Sequence, residues 1–378
     1  MIINRDHHLE RIKFLFKVHP IVGLLGPRQS GKTTMAKIFA KSFKGNVHYF
    51  DLEDPAMVEI LREPKTTLYN LEGLIIIDEI QRRPELFPTL RFIIDNRRDS
   101  QQYLILGSAS RDMIKQSSES LAGRIGYEEI HPFNAYEVPD TQKLFLRGGF
   151  PNAYLAGDDK LSSLWLDNYI RTFLEHDIPT LGIDIPAPVL RKFWVMLSHY
   201  HGNIFNASEI GKSLGISDKT IKYYLDILSG TFMIRQLQPW YENIQKRQVK
   251  RPKIFFRDSG IFHRLLNIET SNQLITHPKV GASWEGFAME QVIRKYGIQD
   301  GECYFWGVHQ EAELDLLIFH NGKRLGFEFK YADAPKITKS IRQSIEHLSL
   351  DHLYIIYPGE LRFKLEDNIE CTNLLNLS

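Results

Sequence analysis

The chain has 378 residues, of which 43% are hydrophobic and 25% are charged, and its formal net charge at pH 7 is +1. This length and composition are typical of a globular protein of roughly two to four domains, and the near-neutral charge excludes a uniformly basic nucleic-acid-binding protein. The two cysteines, Cys303 and Cys371, provide neither a disulfide framework nor a cysteine-rich zinc site.

The apolar segments indicate a soluble, cytoplasmic protein. No apolar run reaches the roughly 18 residues of a membrane span. Charged residues interrupt the N-terminal segment, so it lacks the apolar region of a signal peptide. We therefore expect no membrane partner.

The N-terminal part of the chain alternates predicted helices and strands. An amphipathic helix over 5–18 precedes an apolar strand over 20–25, and a second helix covers 32–41. Continuous apolar runs, typical of parallel strands covered on both faces, predict three further strands. These strands cover 47–52, 74–79 and 103–108. The alternation predicts a doubly wound α/β domain over 1–135.

The loop after the first strand fits the P-loop pattern G-x-x-x-x-G-K-[ST]. Gly26 and Gly31 permit backbone angles that turn successive N–H groups toward a phosphate. Lys32 places a charge on the β- and γ-phosphates, and the hydroxyl of Thr33 can bind Mg²⁺. We therefore predict ATP and Mg²⁺ as cofactors. The predicted nucleotide-binding residues are Gly26, Pro27, Arg28, Gln29, Ser30, Gly31, Lys32, Thr33, Thr34 and Ser108.

Two carboxylates follow the apolar part of the strand over 74–79. Asp78 is predicted to hold Mg²⁺, and Glu79 to orient and polarise the attacking water. Ser108 follows the next strand and is either a sensor residue beside the γ-phosphate or an ordinary helix-capping residue. With Lys32, these residues predict a site that hydrolyses ATP.

Phosphoryl transfer also gains from a second cation, often an arginine from a neighbouring subunit. Arg124 is the first candidate, with Arg97 and Arg98 behind it. The alternative for each of the three is an ordinary surface arginine, which is the commoner role of an arginine. An arginine acting between subunits would require a homo-oligomer.

A helical region is predicted over 136–200, followed by a winged helix-turn-helix over 201–260. Within it, two helices over 206–229 are joined by a glycine-containing turn, and the second helix can enter a DNA major groove. That helix is predicted to expose Lys219, Thr220, Lys222 and Tyr223.

A hairpin with strands over 232–239 and 253–257 would form the wing. Its basic strip, predicted to contact phosphates, contains Lys246, Arg247, Lys250, Arg251, Lys253 and Arg257. The alternative is that the domain packs against the ATPase or a protein partner and that the strip is merely solvated.

The last domain, over 275–378, carries a nuclease-like set of side chains. A hairpin turn at 321–322 would bring Asp315 next to Glu328, with Lys330 on the same strand face as Glu328. Glu285 could add a further metal ligand from a helix. Two carboxylates and a lysine around a divalent ion are what phosphodiester cleavage needs. An inactive charged hairpin is the alternative.

Six segments carry a resemblance to the AAA+ superfamily and, more narrowly, to a prokaryotic family of predicted ATPases with a C-terminal domain of unknown function. They are GPRQSGKTT over 26–34, IIIDEIQ over 75–81, LGSAS over 106–110, SLAGR over 120–124, GGFP over 148–151 and YIRTFLEHDI over 169–178. The resemblance implies ATP binding and hydrolysis. The C-terminal pattern resembles the PD-(D/E)xK restriction-endonuclease-like fold.

The leading hypothesis is thus a Mg²⁺-dependent AAA+ ATPase that moves a DNA-binding winged helix and a nuclease-like domain. The second is a nucleotide-controlled module with a silent C-terminal domain and a protein partner. A transcription regulator is the third.

Overall fold

The computed structural model describes residues 3–97, 101–108, 121–242, 248–308 and 311–377. The chain forms two compact units, which alternate along the sequence. The first contains Met1–Pro132, Thr172–Ile185 and Asp226–Met233, and the second contains Phe133–Arg171, Pro186–Leu225 and Ile234–Ser378. No helix within the described ranges is long and apolar enough to cross a membrane.

The first unit contains a five-stranded parallel sheet in the order β2-β3-β4-β1-β5. Its strands are β1 (Ile21–Leu25), β2 (Val47–Asp51), β3 (Gly73–Asp78), β4 (Gln101–Gly107) and β5 (Ile125–Glu129). Its helices are α1 (Asp6–Phe16), α2 (Lys32–Ser42), α3 (Pro55–Ile60), α4 (Pro64–Tyr69) and α5 (Leu86–Arg97). A π-helical turn, Phe173–Asp177, and a short helix, Ile178–Thr180, also belong to this unit. The predicted parallel α/β domain is confirmed.

Helices cover both faces of this sheet, as the continuous apolar strands predict. In β3, Leu74 and Ile76 enter one buried cluster, whereas Ile75 and Ile77 enter another. Strand β4 lies between β1 and β3. Because parallel strands end at the same edge of a sheet, the P-loop after β1, the carboxylates after β3 and Ser108 after β4 become neighbours.

The second unit contains a mixed sheet of nine strands in the order β13-β14-β12-β11-β10-β9-β7-β8-β6. The strands are β6 (Asn203–Ile204), β7 (Ile234–Pro239), β8 (Lys253–Phe256), β9 (Cys303–Val308), β10 (Ala312–His320), β11 (Lys323–Phe329), β12 (His352–Ile356), β13 (Phe363–Glu366) and β14 (Ile369–Thr372). The helices lying wholly or mostly in this unit are α6 (Thr141–Arg147), α7 (Pro151–Tyr154), α8 (Asp159–Thr172), α9 (Ala187–Tyr200), α10 (Ala207–Leu214), α11 (Asp218–Gly230), α12 (Ser259–Leu265), α13 (Ser271–Thr276), α14 (Val280–Tyr296) and α15 (Lys339–Leu348).

The two helices predicted over 206–229 are α10 and α11, joined at Gly215 in the left-handed conformation. Helix α11 buries Ile221 and Leu228 and exposes Lys219, Lys222 and Tyr223, as its periodicity predicts. Thr220 is half-buried rather than exposed. The predicted hairpin is present, because β7 and β8 pair antiparallel. Its role as a DNA-binding wing stays a prediction.

The basic strip on that hairpin differs from its prediction. Lys253 and Arg257 are each only 5% exposed and form ion pairs with acidic residues. Lys246 and Arg247 lie outside the described residues, whereas Lys250 and Arg251 are exposed. Sequence composition cannot tell a solvated lysine from one that compensates a buried carboxylate, so the predicted strip was too long.

Strands β10 and β11 form the hairpin predicted from 321–322. Asn321 and Gly322 have positive φ angles of 50° and 75°, as a tight two-residue turn requires. The antiparallel register pairs Leu316 with Phe327, so Asp315 and Glu328 come next along the two strands.

Candidate functional site

The phosphate-binding loop depends on its glycines. Gly26 has φ of 145°, and a Cβ atom at this position would lie 2.3 Å from the carbonyl oxygen of Ile130. Gly31 has φ of 100° and immediately precedes helix α2, which begins at Lys32. A Cβ atom would clash at Gly26, and at both Gly26 and Gly31 a residue with a side chain would have an unfavourable backbone angle. The loop thereby presents backbone N–H groups at a helix N-terminus, which favours an anion.

Lys32 is buried within the loop. Its Nζ donates to the carbonyl oxygens of Gly26 and Pro27, both at 2.9 Å. Burial lowers the pKa of Lys32 to about 8, while the carboxylates of Glu79 and Asp78 oppose this shift. A buried ammonium group whose partners are neutral carbonyls is well suited to exchange them for a phosphate.

Asp78 gathers hydroxyl groups at the end of β3. The hydroxyls of Thr33 and Tyr49 donate to its Oδ2 at 2.8 and 2.6 Å, and the backbone N–H of Glu79 donates to Oδ1 at 3.0 Å. Burial raises the pKa of Tyr49, as does its hydrogen bond to Asp78, so the phenol stays a donor. A hydroxyl beside a carboxylate is the kind of oxygen set that Mg²⁺ prefers. Thr33 and Asp78 therefore fit this ion.

A chain of side chains links Glu79 to Ser108. The amide of Gln81 donates to the carboxylate of Glu79 and, at 3.0 Å, to the hydroxyl of Ser108. Glu79 itself has φ of 57°, an unusual angle for a residue with a side chain. Burial raises the pKa of its carboxyl group. The carboxylate of this half-buried residue is held in one direction by the amide of Gln81, a residue that the sequence did not single out.

The loop residue Arg28 is fixed by two acidic residues. It donates to Asp177 and, at 2.8 Å, to Glu53, which also accepts from Arg82 at 3.0 Å. Burial raises the pKa of Asp177, whereas the guanidinium of Arg28 favours the charged carboxylate. Asp177 lies in the segment over 169–178, so that segment contributes a partner to the phosphate-binding loop.

The three candidate arginines are not gathered at this loop by any described contact. Arg124 forms two hydrogen bonds with Asp95, at 2.6 and 3.0 Å. The side chain of Arg97 and the whole of Arg98 lie outside the described residues. An action of Arg124 in another subunit would require its pair with Asp95 to open.

The second unit brings the nuclease-like residues together. Oδ2 of Asp315 accepts from the backbone N–H of Phe329 at 3.0 Å, which holds it beside β11. Nζ of Lys330 lies 2.7 Å from Glu328 and 3.9 Å from Asp315. Asp315 and Glu328 are 9% and 4% exposed. The two carboxylates and the lysine therefore share one partly desolvated location.

Glu285 of α14 joins this carboxylate cluster through Lys253. Nζ of Lys253 contacts Glu313 and lies 3.7 Å from Oε1 of Glu285, which accepts no hydrogen bond from any described residue. Burial, followed by the nearby charge of Asp315, raises the pKa of both Glu285 and Glu328 to about 8. Lys253 thus belongs to this cluster and not to an exposed basic strip.

A divalent ion fits this cluster by charge and by ligand type. Four carboxylates (Glu285, Glu313, Asp315 and Glu328) and two ammonium groups (Lys253 and Lys330) give a formal charge of −2 when all are ionised. By distance the fit is incomplete, because the oxygens of Glu285, Asp315 and Glu328, all described residues, do not all lie within 4.8 Å of one another. Side-chain rotation would be needed to bring all three onto one ion.

The residues that contact the two sites without having been assigned these roles from sequence include Tyr49, Gln81, Asp177, Lys253 and Glu313. Gln81 and Glu313 had a local signal, since each lies two positions from a predicted site residue. The others reach their sites from distant parts of the chain.

Three family models match successive parts of the chain. Residues 18–139 match an AAA domain, 138–272 match a domain of unknown function (DUF8612) and 280–377 match a domain of unknown function (DUF4143). The predicted resemblance to an AAA-type ATPase with a C-terminal domain of unknown function is thereby confirmed. The AAA domain indicates nucleotide binding and hydrolysis.

Two curated relatives and one solved structure extend this comparison. The chain is 43% identical over 371 residues to the uncharacterized proteins Rv2008c of Mycobacterium tuberculosis and Mb2031c of Mycobacterium bovis, covering 98% of this chain and 83% of each relative. The Walker-type ATPase PABY2304 of Pyrococcus abyssi is similar with a TM-score of 0.51 and 15% identity, over 70% of this chain and 96% of that one. At that identity the similarity shows the fold alone.

Proposed function

The chain belongs to the family of these two mycobacterial proteins, and we propose that it is a Mg²⁺-dependent ATPase whose nucleotide state controls a DNA-directed second unit. The hydrolytic part of the proposal rests on one observation. The chain Glu79–Gln81–Ser108 lies at the same sheet edge as the hydrogen-bonded pair Thr33–Asp78.

Each residue of the P-loop site has a separate task in this proposal. The N–H groups of the loop and Lys32 bind and orient the phosphates. Thr33 and Asp78 would hold Mg²⁺, which when bound neutralises charge on the β- and γ-phosphates. Glu79 accepts a hydrogen bond from the attacking water and takes its proton, while Gln81 keeps the carboxylate in place. Ser108 would contact the γ-phosphate through its hydroxyl.

Phosphate release from ATP tests this assignment. We expect turnover with Mg²⁺ and none with EDTA. Glu79→Gln should bind ATP as wild type does but hydrolyse it at least about 100-fold more slowly, because the amide cannot accept a proton. Undiminished turnover by Glu79→Gln would refute the role given to that residue.

Chain connectivity supports control of the second unit by nucleotide. Thr172–Ile185 belongs to the first unit and is continuous with α8 on one side and α9 on the other. Its residue Asp177 is paired with Arg28 of the phosphate-binding loop. A change in that loop on nucleotide binding would thus reach a segment that leads directly into the second unit.

DNA is the proposed target because α11 exposes two lysines and a tyrosine on one surface. Lys219, Lys222 and Tyr223 are exposed, and so are Lys250 and Arg251 between β7 and β8. Phosphate contacts make affinity fall steeply with salt. Fluorescence anisotropy with a labelled duplex at low and high salt measures this binding. The double variant Lys219→Glu/Lys222→Glu should bind DNA at least tenfold more weakly than wild type. Lys336→Glu, which changes an exposed lysine elsewhere in the second unit, is the control.

The carboxylate cluster is proposed to cleave that DNA. Asp315, Glu328 and Glu285 would hold a divalent ion, which when bound supplies an activated water, and Lys330 would neutralise charge on the scissile phosphate. Cleavage of a labelled duplex with Mn²⁺ that is lost in Asp315→Ala would support this activity. No cleavage by wild type at low salt, with or without ATP, would refute it.

The incomplete convergence of the carboxylates favours two alternatives in which the cluster is catalytically silent. In the first, the chain is a nucleotide-controlled module that binds a protein partner, and in the second it is a transcription regulator. Asp315→Ala would then leave every activity unchanged. DNA binding by the wild-type chain without cleavage would favour the regulator. Absence of both DNA binding and cleavage in the wild-type chain would favour the protein partner.

A further inference from the structure

A cavity of about 570 Å³ lies in the second unit, at the turn end of the β10–β11 hairpin. Its walls come from three elements: the last residues of α14, the hairpin turn and the first residues of β12. Asp315 lies near the other end of β10, so the cavity is separate from the carboxylate cluster. This volume is within the range of roughly 300–1,000 Å³ that small-molecule sites occupy.

Four aromatic side chains line the cavity (Tyr296, His320, His352 and Tyr354), and the fully buried ring of Phe327 contacts two of them. The ring of Tyr296 lies 5.0 Å from that of His320 and 5.8 Å from that of Phe327. Phe327 stacks on Tyr354 at 5.4 Å, and Tyr354 contacts His352 at 4.4 Å. Pairing of β11 with β12 and the two-residue period of strands place these rings on one face of the sheet. The rings at the cavity are half-buried, so part of their surface faces the cavity.

The rim of the cavity is positively charged. Lys295 is the residue before the last of α14, and its Nζ donates to the carbonyl oxygen of Leu377. Lys323 begins β11, is exposed and makes no ion pair within the described part of the chain. Asp351 is the one acidic residue in the wall, and its carboxylate already accepts from the backbone N–H of Arg324 at 2.7 Å. Nε2 of His352 is buried, makes no hydrogen bond with the described residues and lies 3.7 Å from Oε2 of Glu370. The cavity thus offers cations beside aromatic rings.

We propose that this cavity binds a nucleotide, either a free nucleoside monophosphate or the terminal nucleotide of a DNA strand. The base would stack on these aromatic rings, which is the sequence-tolerant way in which proteins hold unpaired bases. The phosphate would lie between Lys295 and Lys323. Lys323 would form a charge-assisted hydrogen bond with it, and Lys295 would do so by exchanging its bond to the carbonyl oxygen of Leu377. This site needs neither the P-loop nor the carboxylate cluster, and its failure would leave the proposed ATPase untouched.

Isothermal titration of the full chain with dTMP tests the site, with thymidine and inorganic phosphate as the two halves of the ligand. We expect dTMP to bind more tightly than either half. Lys323→Glu should weaken dTMP at least tenfold, and Tyr354→Leu should weaken dTMP and thymidine alike. Lys336→Glu, an exposed lysine outside the cavity, is the charge-matched control and should bind as wild type. Repeating the titration with Lys32→Ala distinguishes dTMP binding at the cavity from dTMP binding at the P-loop.

Two oligonucleotides distinguish the sources of the ligand. A single-stranded dT6 with a 5′-phosphate should bind more tightly than dT6 with a 5′-hydroxyl, and lose this advantage in Lys323→Glu, if the site takes a strand end. The site takes a free nucleotide if dTMP displaces neither oligonucleotide while Lys323→Glu still weakens the binding of dTMP. Unchanged dTMP binding in a folded Lys323→Glu variant, or no dTMP binding at millimolar concentration, overturns the proposal.

Discussion

Arg28 of the phosphate-binding loop donates to the carboxylate of Asp177, a residue 149 positions later in the chain. Asp177 ends a π-helical turn, Phe173–Asp177. Single π-helical turns are rare and are frequently found at functional sites. The pair therefore connects this turn to a side chain of the phosphate-binding loop.

Removing the charge of Asp177 should tighten ATP binding. In Asp177→Asn, Arg28 keeps its positive charge while one negative charge near the phosphates disappears, which is worth about 0.7 kcal/mol at a partly exposed site, or about threefold in Kd. Titration with a fluorescent ATP analogue measures the effect. Glu175→Gln, an exposed acid in the same turn, should change Kd little. Weaker binding by Asp177→Asn would show that the pair instead holds the loop in its binding conformation.

Gln81→Ala should slow hydrolysis without weakening nucleotide binding. The amide positions Glu79 against Ser108, and a carboxylate free to rotate spends less time aligned with water. We expect kcat to fall about tenfold or more and KM to change less than about twofold. Arg83→Ala, which removes an ion pair with Glu85 two positions further on, is the control. A change in KM alone would assign Gln81 to binding.

Lys253→Met should increase the stabilisation of the protein by Mn²⁺. The variant changes the formal charge of the carboxylate cluster from −2 to −3, so a divalent cation is attracted more strongly. Without metal the variant should have a lower Tm, since Glu285 loses its compensating charge. Thermal unfolding with and without 1 mM Mn²⁺ measures both effects.

Asp315→Ala is the counterpart of this experiment, because it removes a proposed ligand. It should abolish the Mn²⁺-dependent rise in Tm, whereas Asp78→Asn in the P-loop site should preserve it. An equal Mn²⁺-dependent rise in Tm in wild type and in Asp315→Ala would refute metal binding by this cluster.

Glu290→Gln should destabilise the second unit in a pH-dependent way. Glu290 is 1% exposed and faces Arg235, Arg257 and Arg294. Burial alone would raise the pKa of Glu290, but Arg235 and Arg257 outweigh it and lower the pKa to about 2. Since removal of one partner leaves buried charges unpaired, the free energy of unfolding at pH 7 should fall by about 3–5 kcal/mol.

The sign of the pH dependence follows from that lowered pKa. A carboxylate that holds its proton less tightly when folded stabilises the protein above its unfolded pKa of 4.5. This stabilisation is lost as pH falls toward 2. Urea titrations should therefore show a constant difference between wild type and Glu290→Gln above pH 5, and a smaller one at pH 3. Glu59→Gln, in an exposed ion pair, should show almost none at either pH.

Local sequence determined those parts of the protein whose structure depends only on residues close together in the chain. The glycines and Lys32 define the phosphate-binding loop, because the required backbone angles and charge lie within eight positions, 26–33. Continuous apolar runs predicted β1, β3 and β4 correctly, since strands buried on both faces need nothing else. They also predicted β2, although it is an edge strand with Val47 exposed. The turn at Asn321 likewise fixed the β10–β11 hairpin, and with it the adjacency of Asp315 and Glu328.

Only the tertiary structure decided which distant side chains complete these sites. Gln81 bonds with Ser108 because β4 is inserted between β1 and β3, and strand order is not encoded in any one segment. Asp177 reaches Arg28, and Lys253 reaches Glu285, through the packing of elements far apart in sequence. Periodicity tells which face of an element is buried, but the charge that a buried lysine compensates depends on what the fold places opposite it.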